Sequence, residues 1–138
     1  MAIAWTSDLA TNVDEIDNQH KELFRRINSL LDACNQGRGK AEVQNVITFL
    51  EEYVISHFDE EERYMEKYSY PDAGTHKAQH KEFMKNFSDL KSQFETDGPG
   101  VHIVISTNQM VVDWLRTHIQ KLDKALGAFL KTRFSTGL

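Results

Sequence analysis

Four runs of apolar residues recur along this chain at steps of three and four, separated by short breaker clusters, and the arrangement that buries such stripes is a set of packed helices. The first run holds Ile16, Leu23, Ile27, Leu30 and Cys34 and stops at Asn35-Gln36-Gly37-Arg38-Gly39, where two glycines supply helix-ending conformations. The second holds Val43, Val46, Ile47, Leu50, Val54, Tyr64 and Met65 and ends before Ser69-Tyr70-Pro71-Asp72, because the residue ahead of a proline disfavours helix. The third, with Phe83, Phe87, Leu90 and Phe94, lies between Asp72 or Thr75 as cap and the breaker Asp97-Gly98-Pro99-Gly100. The fourth carries Val101, Val104, Ile105, Asn108, Val112, Leu115, Leu122, Leu126 and Phe129, with a ragged end at Ser135-Thr136-Gly137-Leu138. Connections this short join antiparallel neighbours, so the expected fold is all-α, an antiparallel up-down-up-down four-helix bundle. Residues before Asp14 carry no helical stripe, yet Ile3, Trp5, Leu9 and Val13 can pack along the bundle as an extended N-terminal arm.

A chain of 138 residues suits one domain, expected to span residues 1–138. No apolar run reaches membrane-spanning length, so direct membrane insertion is not expected. The start, Met1-Ala2-Ile3-Ala4-Trp5, lacks the basic and apolar sections of a secretory signal, which points to a cytoplasmic protein. Cys34 is the only cysteine, so no intramolecular disulfide can form, and a partly buried thiol late in the first helix is expected. With a net charge of -5 and its basic residues scattered, the chain has no cationic stripe suited to nucleic acid.

The informative anomaly is polar. His20, His57, Glu61, His76, His80 and His118 all fall on inward stripes, and no lysine or arginine shares those stripes to neutralise the acids. A lone inward histidine is more often a satisfied core residue than a ligand, but five together change that balance. An ionised Glu61 or Asp123 buried without compensation would cost several kcal/mol, so each must be protonated, ion-paired or bound to a cation. Metal coordination resolves the whole set, because imidazole nitrogens and carboxylate oxygens are first-row metal ligands. His57 and Glu61 are four apart, as are His76 and His80, so each pair projects from successive turns toward one point. His118 and Asp123 are five apart, which on an ideal helix turns the second side chain away. Either a widened turn or kink distorts the fourth helix there, or Asp123 approaches from a different side.

These residues match a family. Asp17-Asn18-Gln19-His20, His57-Phe58-Asp59-Glu60-Glu61, His76-Lys77-Ala78-Gln79-His80, and Trp114-Leu115-Arg116-Thr117-His118 followed by Asp123, resemble the haemerythrin signature. The resemblance implies a non-haem, oxo- or hydroxo-bridged pair of iron ions. One iron would be held by His76, His80 and His118 and the other by His20 and His57, with Glu61 and Asp123 bridging. Two six-coordinate ions sharing those carboxylates and one bridging oxygen leave six places for five histidines, hence one open place. Dioxygen would bind there reversibly as hydroperoxide on the two-histidine iron. Leu23, Phe58, Trp114, Leu115 and Ile119 flank the ligands with apolar bulk and are the candidate oxygen pocket, a role compatible with ordinary core packing. The resemblance further suggests oxygen or redox sensing, or oxygen storage and delivery. Similar domains at the ends of bacterial chemotaxis receptors raise the prospect of a larger signalling receptor, with this part in the cytoplasm.

The enzymatic rival is a ferritin-like di-iron oxidase or a peroxidase. Its Glu-x-x-His pairs are missing, since Asp17, Val54, Ala73, Lys77, Pro99 and Leu115 stand three before the histidines. A non-enzymatic oxygen-binding protein is therefore the expectation. Structural zinc fits poorly with seven donors and one cysteine, although imidazole and carboxylate also accept manganese. His102, beside the Gly98-Pro99-Gly100 loop, is given no metal role. Asp59, Glu60, Glu62 and Glu66 read as a solvated acidic face, with orientation of a histidine by one of them as the lesser alternative. For Tyr64 and Tyr68 aromatic packing is the default.

Overall fold

The computed structural model describes residues 3–136; Met1, Ala2, Gly137 and Leu138 lie outside the described residues, as do the side chains of Asn108, Ser135 and Thr136. Thus the inward placement of Asn108 and the Gly137-Leu138 part of the expected ragged end lie outside the described residues, whereas the backbone of Ser135 and Thr136 is still helical. The described chain forms four long helices, α1 (Asp14–Asn35), α2 (Lys40–Lys67), α3 (Ala73–Asp97) and α4 (residues 101–136). Each packs on its sequence neighbours, and α1 closes the bundle against α4, the antiparallel arrangement that short connections dictate. Among the described residues no helix is long and apolar enough to cross a membrane.

Helix ends follow the local chemistry. α1 stops where Gly37 takes φ 68°, and the Arg38 N–H donates back to the Ala33 carbonyl at 3.1 Å, satisfying an acceptor the helix would otherwise orphan. Asp72 rather than Thr75 stands ahead of α3, but its side chain makes no capping hydrogen bond.

One contiguous core runs through the bundle from Ile27, Leu30, Ile47 and Leu50 to Phe83, Phe87 and Phe94, all fully buried. Each such side chain contributes roughly 1.5–3 kcal/mol through water exclusion. A second, smaller cluster of Val13, Ile16, Met65, Tyr70, Leu126 and Leu130 closes the other end. The candidate site lies between these two apolar plugs.

α4 is not one regular helix. Its α-helical stretches Val101–Thr107, Asp113–His118 and Lys124–Thr136 alternate with π-helical turns at Asn108–Val112 and Ile119–Asp123. Each π turn spends an extra residue, so the inward stripe shifts position. That corrects the expected fourth stripe: Val101 is 73% and Ile105 50% exposed, while Ile103, Val104, Thr107 and Val111 face inward. Leu122 is only partly covered, for Asp123 takes the inward place.

The N-terminal arm packs as expected, with Ile3, Leu9 and Val13 buried and a short 3-10 turn at Ser7–Leu9. The Asn28 side chain clamps its start, accepting from the Ile3 N–H and donating to the Ile3 carbonyl, both at 2.8 Å. Lys124 donates to the Asp8 carbonyl at 2.9 Å, tying the arm to α4 just past the second π turn. At Gly127 the arm passes so close that an added Cβ would meet the Thr11 carbonyl oxygen and lie 2.8 Å from the Thr11 Cβ. Only glycine leaves room for that crossing.

Candidate metal centre

α1 contributes His20, α2 His57 and Glu61, α3 His76 and His80, and α4 His118 and Asp123, all within 2% of complete burial. The four-residue steps on α2 and α3 need only regular helix. The five-residue step on α4 needs the π turn Ile119–Asp123, which begins directly after His118 and brings Asp123 back to the same face. Of the two ways Asp123 could join the set, the structure therefore has the widened turn.

The distances divide the donors into two groups that share both carboxylates. Glu61 Oε1 lies 3.1 Å from His80 Nε2 and 3.5 Å from His76 Nε2, whereas Glu61 Oε2 lies 3.3 Å from His57 Nε2 and 3.7 Å from His20 Nε2. Asp123 Oδ1 lies 2.9 Å from His76 Nε2 and 3.1 Å from His118 Nε2, and its Oδ2 3.0 Å from His20 Nε2. Either group, Glu61, His76, His80, His118 and Asp123 or His20, His57, Glu61 and Asp123, could hold a cation. Each carboxylate thus turns one oxygen to each group.

Whether a cation suits these atoms can be judged from their bonding. Donors about 2.1 Å from a common ion and at right angles to one another stand about 3 Å apart, close to the separations found here. Despite that proximity, His20 Nε2, His57 Nε2, His76 Nε2, His118 Nε2, Glu61 Oε2 and both Asp123 oxygens make no properly directed hydrogen bond among the described residues. Buried polar atoms are almost always satisfied, so this many orphans pointing into one small space mark donors that fit metal ions. The electrostatics agree. Burial opposes charge on His20 and His76, yet the Asp123 and Glu61 carboxylates raise both to about 9. Glu61 and Asp123 likewise stay well below the usual carboxylate range, because the surrounding histidines outweigh desolvation. Protons on His20 and His76 would offset the two buried carboxylates, and a cation could take their place.

The outer nitrogens meet two residues not expected from sequence, Gln19 and Gln79. His57 Nδ1 lies 2.7 Å from Gln19 Oε1, and His118 Nδ1 3.0 Å from Gln79 Oε1. Each glutamine directly precedes a histidine of the cluster but serves a ring on another helix; the repeated Gln-His dipeptide is the signal that could have found them. His80 Nδ1 lies 2.8 Å from Glu62 Oε2, which corrects the reading of Glu62 as merely part of a solvated face. Glu60 and Glu66 do stay outside, paired with Arg63 and Lys77, and Asp59 is exposed. Asp17 fastens the arm, accepting at 2.8 Å from both the N–H and the hydroxyl of Thr11.

Of the candidate pocket residues, Leu23, Leu115 and Ile119 are fully buried in the main core. Phe58 stacks flat on His80 with ring centres 3.8 Å apart, and Trp114 on His118 at 4.6 Å, so both lie against the three-histidine group. Trp114 also donates its indole N–H to Glu82 at 2.9 Å. His102 is not among the clustered donors, Cys34 is a buried thiol, and Tyr64 packs on Phe134 while donating its hydroxyl to Glu15.

With this geometry in place, comparison with known proteins is direct. A family model described as "Hemerythrin HHE cation binding domain" matches residues 11–130. The chain is 36% identical over 129 residues to the bacteriohemerythrin of Methylococcus capsulatus, covering 93% of this chain and 96% of that protein. It is 35% identical over 121 residues to the bacteriohemerythrin of Pseudomonas aeruginosa, covering 88% and 76%. A crystal structure of wild-type hemerythrin matches with a TM-score of 0.82 at 35% identity, over 93% of this chain and 97% of that one. Sequence, fold and buried donors agree, and the chain belongs to the haemerythrin family.

Proposed function

We propose that this protein binds dioxygen reversibly at a pair of iron ions held by His20, His57, Glu61, His76, His80, His118 and Asp123, within one domain spanning the chain. The observation that carries the reading is the shared use of Glu61 and Asp123, each with one oxygen toward the three-histidine group and one toward the two-histidine group. Carboxylates used this way hold two ions near each other and leave the group with fewer histidines the less saturated. When bound, the iron pair supplies the electrons that make oxygen binding reversible, as the resemblance to haemerythrins implies.

The chain's own part is to orient and to exclude. Gln19, Gln79 and Glu62 accept from the outer nitrogens of His57, His118 and His80, which leaves each Nε2 lone pair facing inward. Leu23, Leu115 and Ile119 pack dry apolar surface beside the donors and offer no acid or base. None of these three carries a proton donor, which would favour release of dioxygen over further reaction. Sensing and storage or delivery both draw on this one binding step.

Anaerobic reduction of the iron-loaded chain followed by oxygen titration tests the proposal. Metal analysis should give about two irons per chain, and oxygen should raise a visible absorption band that argon removes through several cycles. One zinc per chain, or steady consumption of added reductant under oxygen, overturns it.

A further inference from the structure

The five histidines are not supported alike. At their outer nitrogens, His57 and His118 donate to neutral amide oxygens, His20 Nδ1 and His76 Nδ1 have no hydrogen-bond partner among the described residues, and of the five His80 alone turns its Nδ1 to a carboxylate, at 2.8 Å. The helix geometry behind this is simple. Residues 57 and 61 form one stripe of α2 and supply donors, whereas residues 58 and 62 form the next stripe over. Both of the latter act on His80: Phe58 lies flat against its ring, at 8° between planes, and Glu62 takes its outer nitrogen. His80 is therefore held in plane and in direction by two residues of a single helix turn.

Glu62 also stands at the edge of solvent. Its side chain is 30% exposed while the His80 side chain is 3% exposed, so water solvates the carboxylate at the mouth of an open groove between α2 and α3. Lys77 and Lys81 line the same groove, with Lys77 paired to Glu66 at 3.1 Å. An anion that accepts from the far side of an imidazole pushes electron density toward the near nitrogen and makes it a stronger metal donor.

We infer that Glu62 is a positioning residue that, by its contact with His80 alone, makes the three-histidine half of the centre the more electron-rich half and stabilises the higher charge of the metal held there. This rests on the two-metal reading of the site. The charge, and not only the hydrogen bond, carries the effect, and the two halves differ in electron richness beyond what their histidine counts impose.

Three variants of the full chain separate charge from hydrogen bonding. Glu62→Gln keeps an acceptor of the same length and removes the charge, Glu62→Leu removes both, and Gln79→Glu adds a charge behind His118. In the iron-loaded chain, Glu62→Gln should raise the reduction potential by roughly a tenfold change in equilibrium, about 59 mV for a one-electron step. Gln79→Glu should lower it. Zinc, which takes no part in redox chemistry, provides the second measurement. In competition with a chelator its affinity should fall about 10-fold in Glu62→Gln and about 100-fold in Glu62→Leu. A parent chain that binds two metals while Glu62→Gln leaves the potential unchanged overturns the role of the charge. Equal zinc affinity in parent and Glu62→Leu overturns the positioning role as well. A parent that binds no pair of metals is a different failure, which removes the two-metal reading and this inference with it.

Discussion

α2 and α4 each give the centre one histidine and one carboxylate, but by different means. α2 is regular throughout Lys40–Lys67, and its four-residue step from His57 to Glu61 needs nothing beyond an ordinary helix. α4 steps five residues from His118 to Asp123 and needs the π turn between them. The two also differ in support from outside. The π turn and the stretch after it lie under the N-terminal arm, held by Lys124 on Asp8 and by the close crossing of Thr11 over Gly127. A widened turn is a poorer helix than a regular one, and here a separate segment fastens it down. Equal roles at a site therefore do not require equal local stability.

If Glu61 and Asp123 act equally, removing either should cost equally, and this is the largest effect expected. Glu61→Ala and Asp123→Ala should each lower tightly held metal from about two ions per chain to one or none, as metal analysis after dialysis would show. A variant on one helix that keeps both ions while the other loses them would break the equivalence.

Next in size is the pH response of the metal-free chain. His20 and His76 stand at about 9 against an ordinary 6.5, so the stability they contribute is fully present below pH 6.5 and is lost as pH rises through 9. Glu61 and Asp123 are depressed, so their contribution is present above the ordinary carboxylate range and is lost on acidification. Thermal melts of the metal-free chain should therefore peak between these limits and fall on both sides. At pH 7.5 metal loading should release about two protons, measurable by calorimetry in buffers of different ionisation enthalpy. No proton release would contradict the protonated histidines.

A glycine pair probes the arm's hold on α4. Gly127→Ala gains about 1 kcal/mol of helix propensity, but its Cβ runs into Thr11 backbone that cannot yield without moving the arm. A net loss of about 1–3 kcal/mol is expected, together with faster proteolysis ahead of Asp14. Gly74→Ala in α3, with nothing within 4 Å of the new Cβ, should be neutral or slightly stabilising in urea unfolding. Equal outcomes at the two positions would show that the arm is not clamped at Gly127.

Much of this molecule was legible in sequence because the rules involved are local. Four stripes and three breakers gave four helices, and inward histidines and acids on regular spacing marked the donors on α1, α2 and α3. The π turn was legible only as a misfit, since the five-residue step from His118 to Asp123 shows that something must give without saying what. The first π turn, at Asn108–Val112, has no such pair of polar residues to betray it. The misplaced inward positions of Val101 and Ile105 followed from missing it. Gln19 and Gln79 escaped, and Glu62 stood only as the lesser alternative, for another reason. They act across helices, and a side chain on one helix that supports a ring on the next has no periodic mark in its own sequence.

The smallest expected effect sharpens what a depressed carboxylate means. Glu22 is lowered to about 2 by hydrogen bonds from Arg25 and then Arg26, at 2.6 and 2.7 Å, a shift in the same direction as that of the buried acids. Its surroundings differ, for the Arg25 side chain is 66% exposed and water screens the attraction. Glu22→Gln should therefore cost under about 1 kcal/mol near neutral pH, in the range of surface ion pairs. The sign follows from the depressed value: the contribution is present above pH 4.5 and vanishes as pH falls through about 2. Urea unfolding of parent and variant across that range should show two stabilities converging on acidification, with metal content untouched. A loss as large as that of Gly127→Ala, or any change in metal content, would mean that the outer face of α1 reaches the centre, and that depressed acidity alone does not distinguish a surface ion pair from a metal donor.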